Sequence, residues 1–486
     1  MGKFCKVVCL SFDNIILKPI DMKLFHAIVL SLSITNVIAQ ADCNFFRQVS
    51  DKNIFCGYVE VPQDHKRTDG KKIRIAYAIL KAKNVNKKQS PVILLNGGPG
   101  GQALIAIERW INNPIRNKRD LIVFDQRGIG SSSALPNPDM GIFKILAGNY
   151  SIQDEYRLMR DTLALYKTKS IDQQIELDCY ITEQNAADVN ALMEKLGYRT
   201  YVLYGESYGT RLARVVMERF PSRINCVIAD APAILEDDFL SLRIKNFNDV
   251  MEKIFAYCEN DAASRTNYPN LRNDYVAAVR ALEKSPLKLR IGGQPFFVNP
   301  QDALFMLRYQ SYARNSKTAV PAFIAALKAR DTVNLNASQQ FLIGFVNSMN
   351  LAMFLSTERN EEYDANRDSS SIDSLYATLP NLPAKLGFFT SLYQAGVSWH
   401  WKTLTDGEKK LKKSSIPTLI FVNRFDPVTP PKNGDIFKES LTQAKLFVLD
   451  LEGHGVSGDC VTQVMIDFMN TPKSELGNAS CLPILR

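Results

Sequence analysis

Tyr201-Val202-Leu203-Tyr204-Gly205-Glu206-Ser207-Tyr208-Gly209 is the stretch on which the reading of this chain turns. Its first four residues form a short apolar run that favours a buried strand, and Thr210-Arg211-Leu212-Ala213-Arg214-Val215-Val216-Met217 continues as a helix. Between the two, Gly-x-Ser-x-Gly predicts a sharp strand-to-helix turn with Ser207 at its apex. Glycines flank the serine because a larger residue at either position would clash. A turn that tolerates strain in order to expose one hydroxyl suits a nucleophile.

A nucleophilic serine needs a base and an orienting carboxylate, which follow this kind of turn in the order Ser, Asp or Glu, His. The chain has four histidines: His26, His65, His400 and His454. His26 lies in a targeting segment and His65 in the polar turn Gln63-Asp64-His65-Lys66, both ahead of the serine. His400 sits between Trp399 and Trp401, where packing is the expected role. His454, in Glu452-Gly453-His454-Gly455 behind the strand-like run Lys445-Leu446-Phe447-Val448-Leu449, is the expected general base. Asp426 follows the run Pro417-Thr418-Leu419-Ile420-Phe421-Val422 and is the expected carboxylate; its structural alternative is to cap the next helix.

The oxyanion of the tetrahedral intermediate calls for backbone N–H donors, one from the residue after the serine and one from an earlier strand-to-helix loop. Tyr208 supplies the first. The run Pro91-Val92-Ile93-Leu94-Leu95 leads into Asn96-Gly97-Gly98-Pro99-Gly100-Gly101, where Gly98 is the expected second donor because Pro99 has no N–H. No Gly-Lys-Ser/Thr follows, and the spacing is not that of a dinucleotide fingerprint, so nucleotide binding is not indicated.

In order along the chain, Asn96 to Gly101, Asp125-Gln126-Arg127-Gly128-Ile129-Gly130-Ser131, Gly205 to Thr210, Asp426-Pro427-Val428-Thr429-Pro430 and Gly453-His454-Gly455 resemble the proline iminopeptidase and tripeptidyl aminopeptidase family. Asn96 stands where the proline iminopeptidase branch usually has histidine, which favours the tripeptidyl aminopeptidase-like branch. The resemblance implies an α/β-hydrolase fold, with a mostly parallel central sheet flanked by helices. It also implies hydrolysis of peptides from a free N-terminus beneath a large helical cap. Buried-strand runs do become sparse between Pro232 and Pro417, where Tyr275 to Leu282 and Pro321 to Leu327 have helical period. The expected organisation is a signal peptide over 1–41, hydrolase core over 42–231 and 406–486, and a mostly helical cap over 232–405.

An enzyme that binds a substrate's ammonium must offset its desolvation with carboxylates. Glu206, beside the nucleophile, and Glu358, in a small-residue-then-Glu segment that matches the family's cap, are the substrate-binding candidates. The structural alternatives are a hydrogen bond beneath the turn for Glu206, and a solvated helix face or an ion pair with Arg359 for Glu358. Serine carboxypeptidases carry a similar Gly-Glu-Ser-Tyr turn, and the same catalytic groups serve esterases of small acyl esters. A non-catalytic binding protein of this fold would usually lack one member of the triad, whereas all three candidates are present here.

With 46% hydrophobic and 22% charged residues, the 486-residue chain has the proportions of a globular enzyme. Its net charge of +9 includes no long basic block, so no nucleic-acid partner is expected. Lys23, the mostly apolar stretch Leu24 to Ile38 and Ala39-Gln40-Ala41 read as a signal peptide with an A-x-A cleavage site, and translation would then begin at Met22. The stretch is too short and too weakly apolar for stable membrane insertion, and a secreted or periplasmic enzyme is expected. Export permits disulfides. Cys460 with Cys481 is the first expected pair and Cys43 with Cys56 the second, while Cys226, within a strand run, reads as a core thiol. No Cys/His cluster has zinc spacing, and neither metal nor cofactor is expected.

Overall fold

The apolar runs singled out above become strands of one sheet. The computed structural model describes residues 51–476, apart from 68, 85–88, 236–238, 340–343, 345–347, 363–368, 380 and 400. Its strands are β1 (Ile54–Pro62), β2 (Lys72–Leu80), β3 (Gln89–Leu95), β4 (Arg119–Phe124), β5 (Tyr201–Glu206), β6 (Ile224–Asp230), β7 (Leu287–Ile291), β8 (Gln294–Val298), β9 (Thr418–Phe425) and β10 (Ala444–Glu452). Among the described residues, eight of them form a sheet in the order β1-β2-β4-β3-β5-β6-β9-β10, and β7 pairs with β8 apart from it. β2 runs antiparallel to β1 and β4, and the remaining neighbours are parallel. Every residue of β4 is buried, as is nearly every residue of β9, which is the pattern of strands covered on both faces. β1, at the sheet's edge, alternates between buried and exposed positions as its sequence suggests.

The helices used below are α1 (Ile152–Asp172), α2 (Thr182–Lys195), α3 (Tyr208–Arg219), α4 (Phe239–Asn260), α5 (Leu271–Lys284), α6 (Pro300–Gln310), α7 (Ser316–Ala329), α8 (Leu351–Glu361), α9 (Gly387–Ala395) and α10 (Pro431–Glu439). α4 to α9 fall between β6 and β9, in the interval that the sequence reads as helical. α5 buries Leu271, Tyr275, Ala278, Val279 and Leu282 along one stripe, so its stability rests on that amphipathic face. α7 begins at Ser316 and carries Pro321 inside it, although proline reads locally as a helix start. The β7–β8 hairpin is an addition to the sequence reading: Leu287-Lys288-Leu289-Arg290-Ile291 alternates buried and exposed residues and turns at Gly292-Gly293, both with positive φ.

Because β3 to β6, β9 and β10 run parallel, their carboxyl ends share one edge of the sheet. Leu95, Phe124, Glu206, Asp230, Phe425 and Glu452 are those ends, and each of the five quoted motifs starts within one residue of one of them. In open parallel sheets, ligands bind outside this edge. Three buried contacts tie the interval between β6 and β9 to it. Gly101 bridges Met349, the Asn350 N–H donates to the Gly100 carbonyl at 2.8 Å, and Arg211 of α3 meets Glu358, Glu361 and Glu362.

Cys179, Cys226 and Cys258 are buried free thiols. Cys56 and Cys460 are disulfide-bonded, and the expected partners Cys43 and Cys481 lie outside the described residues, as do the signal peptide and His400. No helix of the described residues is long and apolar enough to cross a membrane.

Candidate active site

Ser207 occupies the turn between β5 and α3 at φ 56° and ψ −124°, in a region that L-residues rarely adopt. Both flanking glycines are required by space. A Cβ at Gly205 would stand 2.5 Å from the Gly209 carbonyl oxygen, and one at Gly209 would stand 1.8 Å from that of Leu95. The strained serine is held by its own main chain: its N–H donates to the Asp230 carbonyl at 2.8 Å, and its carbonyl accepts from the Thr210 N–H at 2.9 Å and the Thr210 hydroxyl at 2.6 Å.

His454 follows β10 in a loop whose two flanking glycines both have positive φ. The Asn423 side chain donates to the carbonyls of Gly453 and Gly455, at 3.1 and 2.7 Å, and so fixes this loop against β9. His454 Nδ1 lies 2.8 Å from Asp426 Oδ2. Asp426 is 2% exposed and also accepts from the N–H groups of Val428 and Thr429, at 2.7 and 2.9 Å, and from the Thr429 hydroxyl at 2.8 Å. These bonds fix its orientation toward the imidazole. It does not cap α10, whose N-cap is Pro430. Burial pulls the imidazolium pKa of His454 down, but the charge and hydrogen bond of Asp426, reinforced by Glu206 and Asp230, outweigh it and leave the group above its ordinary value.

The loop after β3 lies directly against the serine, since a Cβ at Gly97 would stand 3.0 Å from Ser207 Cβ. Gly98 has φ 126°. Tyr208 opens α3, where the first N–H groups have no intrahelical acceptor. Its hydroxyl is 2.8 Å from that of Thr182 on α2, which anchors the side chain away from its N–H. The Asp125-Gln126-Arg127 segment braces this loop from behind. Asp125 accepts from the N–H groups of Ala103, Leu104 and Ser131, while the Gln126 amide donates to the Asn96 carbonyl at 2.9 Å. Arg127 is buried in a two-bond pair with Asp188 of α2, at 2.7 and 2.6 Å.

Ser207, His454, Gly98 and Glu206 line one cavity of about 260 Å³ at the carboxyl edge of the sheet. Glu206 is partly exposed and pairs with Arg109 at 3.0 Å. Glu358 does not reach this cavity; it lines a smaller adjoining one of about 50 Å³ together with Ser207 and Tyr208. It is neither a solvated residue nor the partner of Arg359. It is 5% exposed, 3.3 Å from Arg211 and 3.8 Å from Arg243. Burial raises its pKa, and the two arginines offset part of that rise.

Three residues with no local signature complete the picture. Asp230, at the end of β6, is fully buried and accepts from the Val456 N–H; burial, and next the charge of Glu206, push its carboxyl up to about 8. Arg243 of α4 and Arg308 of α6 also line the main cavity. Only the register of β5 against β6, which pairs Glu206 with Asp230, could have pointed to the first.

A sequence profile described as the alpha/beta hydrolase fold matches residues 90–459. The tripeptidyl aminopeptidase of Streptomyces lividans is 23% identical over 475 residues, 89% of this chain and 84% of that one. The serine protease Hip1 of Mycobacterium tuberculosis (strain ATCC 25618 / H37Rv) is 26% identical over 220 residues, 43% of this chain and 42% of that one. YuaR of Escherichia coli (strain K12) is 28% identical over 264 residues, so that half of this chain matches about half of that protein's length. Strand order, the motifs at the sheet's carboxyl edge and the span of the matching profile agree: the chain belongs to the alpha/beta hydrolase fold family.

Proposed function

We propose that this chain is a serine exopeptidase that releases single residues or short peptides from the free N-terminus of peptide substrates. The observation that carries the reading is the strained Ser207 sharing a cavity with His454, whose far nitrogen is held 2.8 Å from the buried Asp426. In the proposed reaction His454 takes the Ser207 proton as the oxygen attacks the scissile carbonyl. Asp426 holds the tautomer and balances the imidazolium, and the N–H groups of Tyr208 and Gly98 bind the oxyanion. Collapse expels the amine, protonated by His454, and water hydrolyses the acyl-enzyme by the same route. The chain-length match to a tripeptidyl aminopeptidase supports a peptide substrate. Glu206, on the cavity wall with Arg109 as its counter-ion, is the better placed of the two carboxylates to meet a substrate ammonium; Glu358 is already shared by two arginines.

In the same reading residues 232–405 form the cap over this cavity, and export through the N-terminal segment places the enzyme outside the cytoplasm. Sequencing the N-terminus of the native protein would find Asp42 if the export reading holds, and a start far from it removes that part.

The test of the activity is mass-spectrometric analysis of an unblocked peptide and its N-acetylated twin, each incubated with the wild-type chain and with Ser207→Ala. Short N-terminal fragments from the free peptide alone, lost in the variant by several orders of magnitude, are the expected result. Cleavage of neither peptide would favour an esterase or a binding protein, and C-terminal trimming of both would favour a carboxypeptidase-like enzyme.

A further inference from the structure

Arg308 is the least satisfied charge in the cavity that holds Ser207 and His454. Only 1% of it is exposed, and its Nε has no hydrogen-bond partner. Among the described residues its guanidinium forms neither an ion pair nor a hydrogen bond. It is held by stacking: its central carbon lies 5.1 Å from the ring centre of Tyr312 and 4.7 Å from that of Phe389. Tyr312 in turn meets His454 edge-on at 5.5 Å, so the guanidinium is one aromatic ring away from the proposed base. A guanidinium gripped by aromatic faces has its orientation set while its planar fork stays available.

Arg243 adds to this. It lies 5.6 Å from the same Phe389 ring and lines the same cavity, so it places a second positive charge there. The carboxylate on the cavity wall, Glu206, is engaged by Arg109. Burying an unpaired cation is costly, and a second cation beside it adds repulsion that an anion entering the cavity would relieve.

Resting on the peptidase reading above, we propose that Arg308, assisted by Arg243, recognises a carboxylate of the substrate. The preferred substrates are therefore short peptides that carry an acidic side chain or a free C-terminal carboxylate close to the cleaved bond. A planar, two-bond guanidinium–carboxylate pair would form against Tyr312 and Phe389.

Two arms test this. In the first, kcat/KM is measured for matched free N-terminus peptides that differ only in Glu against Gln near the cleaved bond, each made with a free and an amidated C-terminus. The wild type is expected to favour one carboxylate-bearing member by roughly 10- to 100-fold, the worth of one charge-assisted hydrogen bond. The position of the preferred acid identifies its source. Arg308→Gln is expected to bring the ratio toward one, chiefly through KM, and Arg308→Lys to restore part of it. Equal rates across the set in the wild type, or an unchanged ratio in Arg308→Gln, would overturn the proposal. In the second arm, glutarate is expected to raise the Tm of the wild type and not that of Arg308→Gln, with glutaramide inactive on both. Equal shifts in both proteins would overturn it too. If no peptide is cleaved by the wild type, the peptidase reading fails while this second arm still decides the anion site.

Discussion

His454 is a buried imidazole acted on by opposing forces, and the winner sets the pH at which the site works. Burial favours the neutral ring; Asp426, Glu206 and Asp230 favour the cation and prevail. A general base must be neutral, so the rise in kcat/KM with pH is expected to centre above 6.5, the ordinary value of histidine. Asp426→Asn removes the strongest of the groups that raise it. Its pH profile should shift to lower pH while the rate falls by roughly 10³- to 10⁴-fold. A profile with the same midpoint in both proteins would mean that His454 is not the titrating base. Ser207, Asp426 and His454 were legible because glycines, apolar runs and chain order mark them locally. Asp230 was not, since a strand-end aspartate is ordinary until β5 and β6 are paired and its carboxyl is found beside Glu206 and the histidine loop.

Elements carry the site through contacts that hold loops at fixed spacing. At the turn between β5 and α3, Gly209→Ala would drive a methyl group onto the Leu95 carbonyl. Since β3 cannot retreat within a packed sheet, the variant is expected to lose about 3 kcal/mol or more, read as a lower urea midpoint. Behind the loop that follows β3, Arg127 ties the loop after β4 to α2 through Asp188. Arg127→Met leaves Asp188 buried with, among the described residues, only His65 beside it, at 2.7 Å, and is expected to cost about 3–5 kcal/mol. Arg127→Met combined with Asp188→Leu should recover part of that loss; a double variant as unstable as the sum of both single ones would show that the pair is not coupled. The Asp-Gln-Arg-Gly motif was visible in the sequence, but its bracing role was not, because each of its side chains acts on a partner distant in the chain. The β7–β8 hairpin was hidden differently. Its alternation and Gly292-Gly293 turn are plain in the sequence, but a neighbourhood of helical period outweighed five-residue strands.

Across the whole molecule, the interval between β6 and β9 is not an appendage. Met159 and Leu163 of α1 lie in the same hydrophobic cluster as Leu304, Phe354 and Phe389, so a helix from the first part of the chain is built into the core of that interval. Sequence periodicity reads that interval as helical, yet could not show which helices share its core, because the packing partners are far apart in the chain. This shared core buries acids as well. Glu155 of α1 is fully buried, and burial pushes its carboxyl up to about 7; Asp302 of α6 is held well above the carboxylate range, first by burial and then by the charge of Glu155. A group whose pKa is raised by folding binds more protons in the folded state. Its stabilisation is therefore complete below the unfolded value of 4.5 and is lost as pH rises through about 7. Asp230, at about 8, acts in the same direction. The urea midpoint is accordingly expected to be higher at pH 5 than at pH 8.5. Glu155→Gln keeps the shape but cannot ionise, so it should leave the midpoint nearly unchanged at pH 5 and raise stability at pH 8.5 by up to about 3 kcal/mol. An equal gain at both pH values would mean that the packing of Gln, and not proton release from a buried carboxyl, controls the junction between α1 and α6.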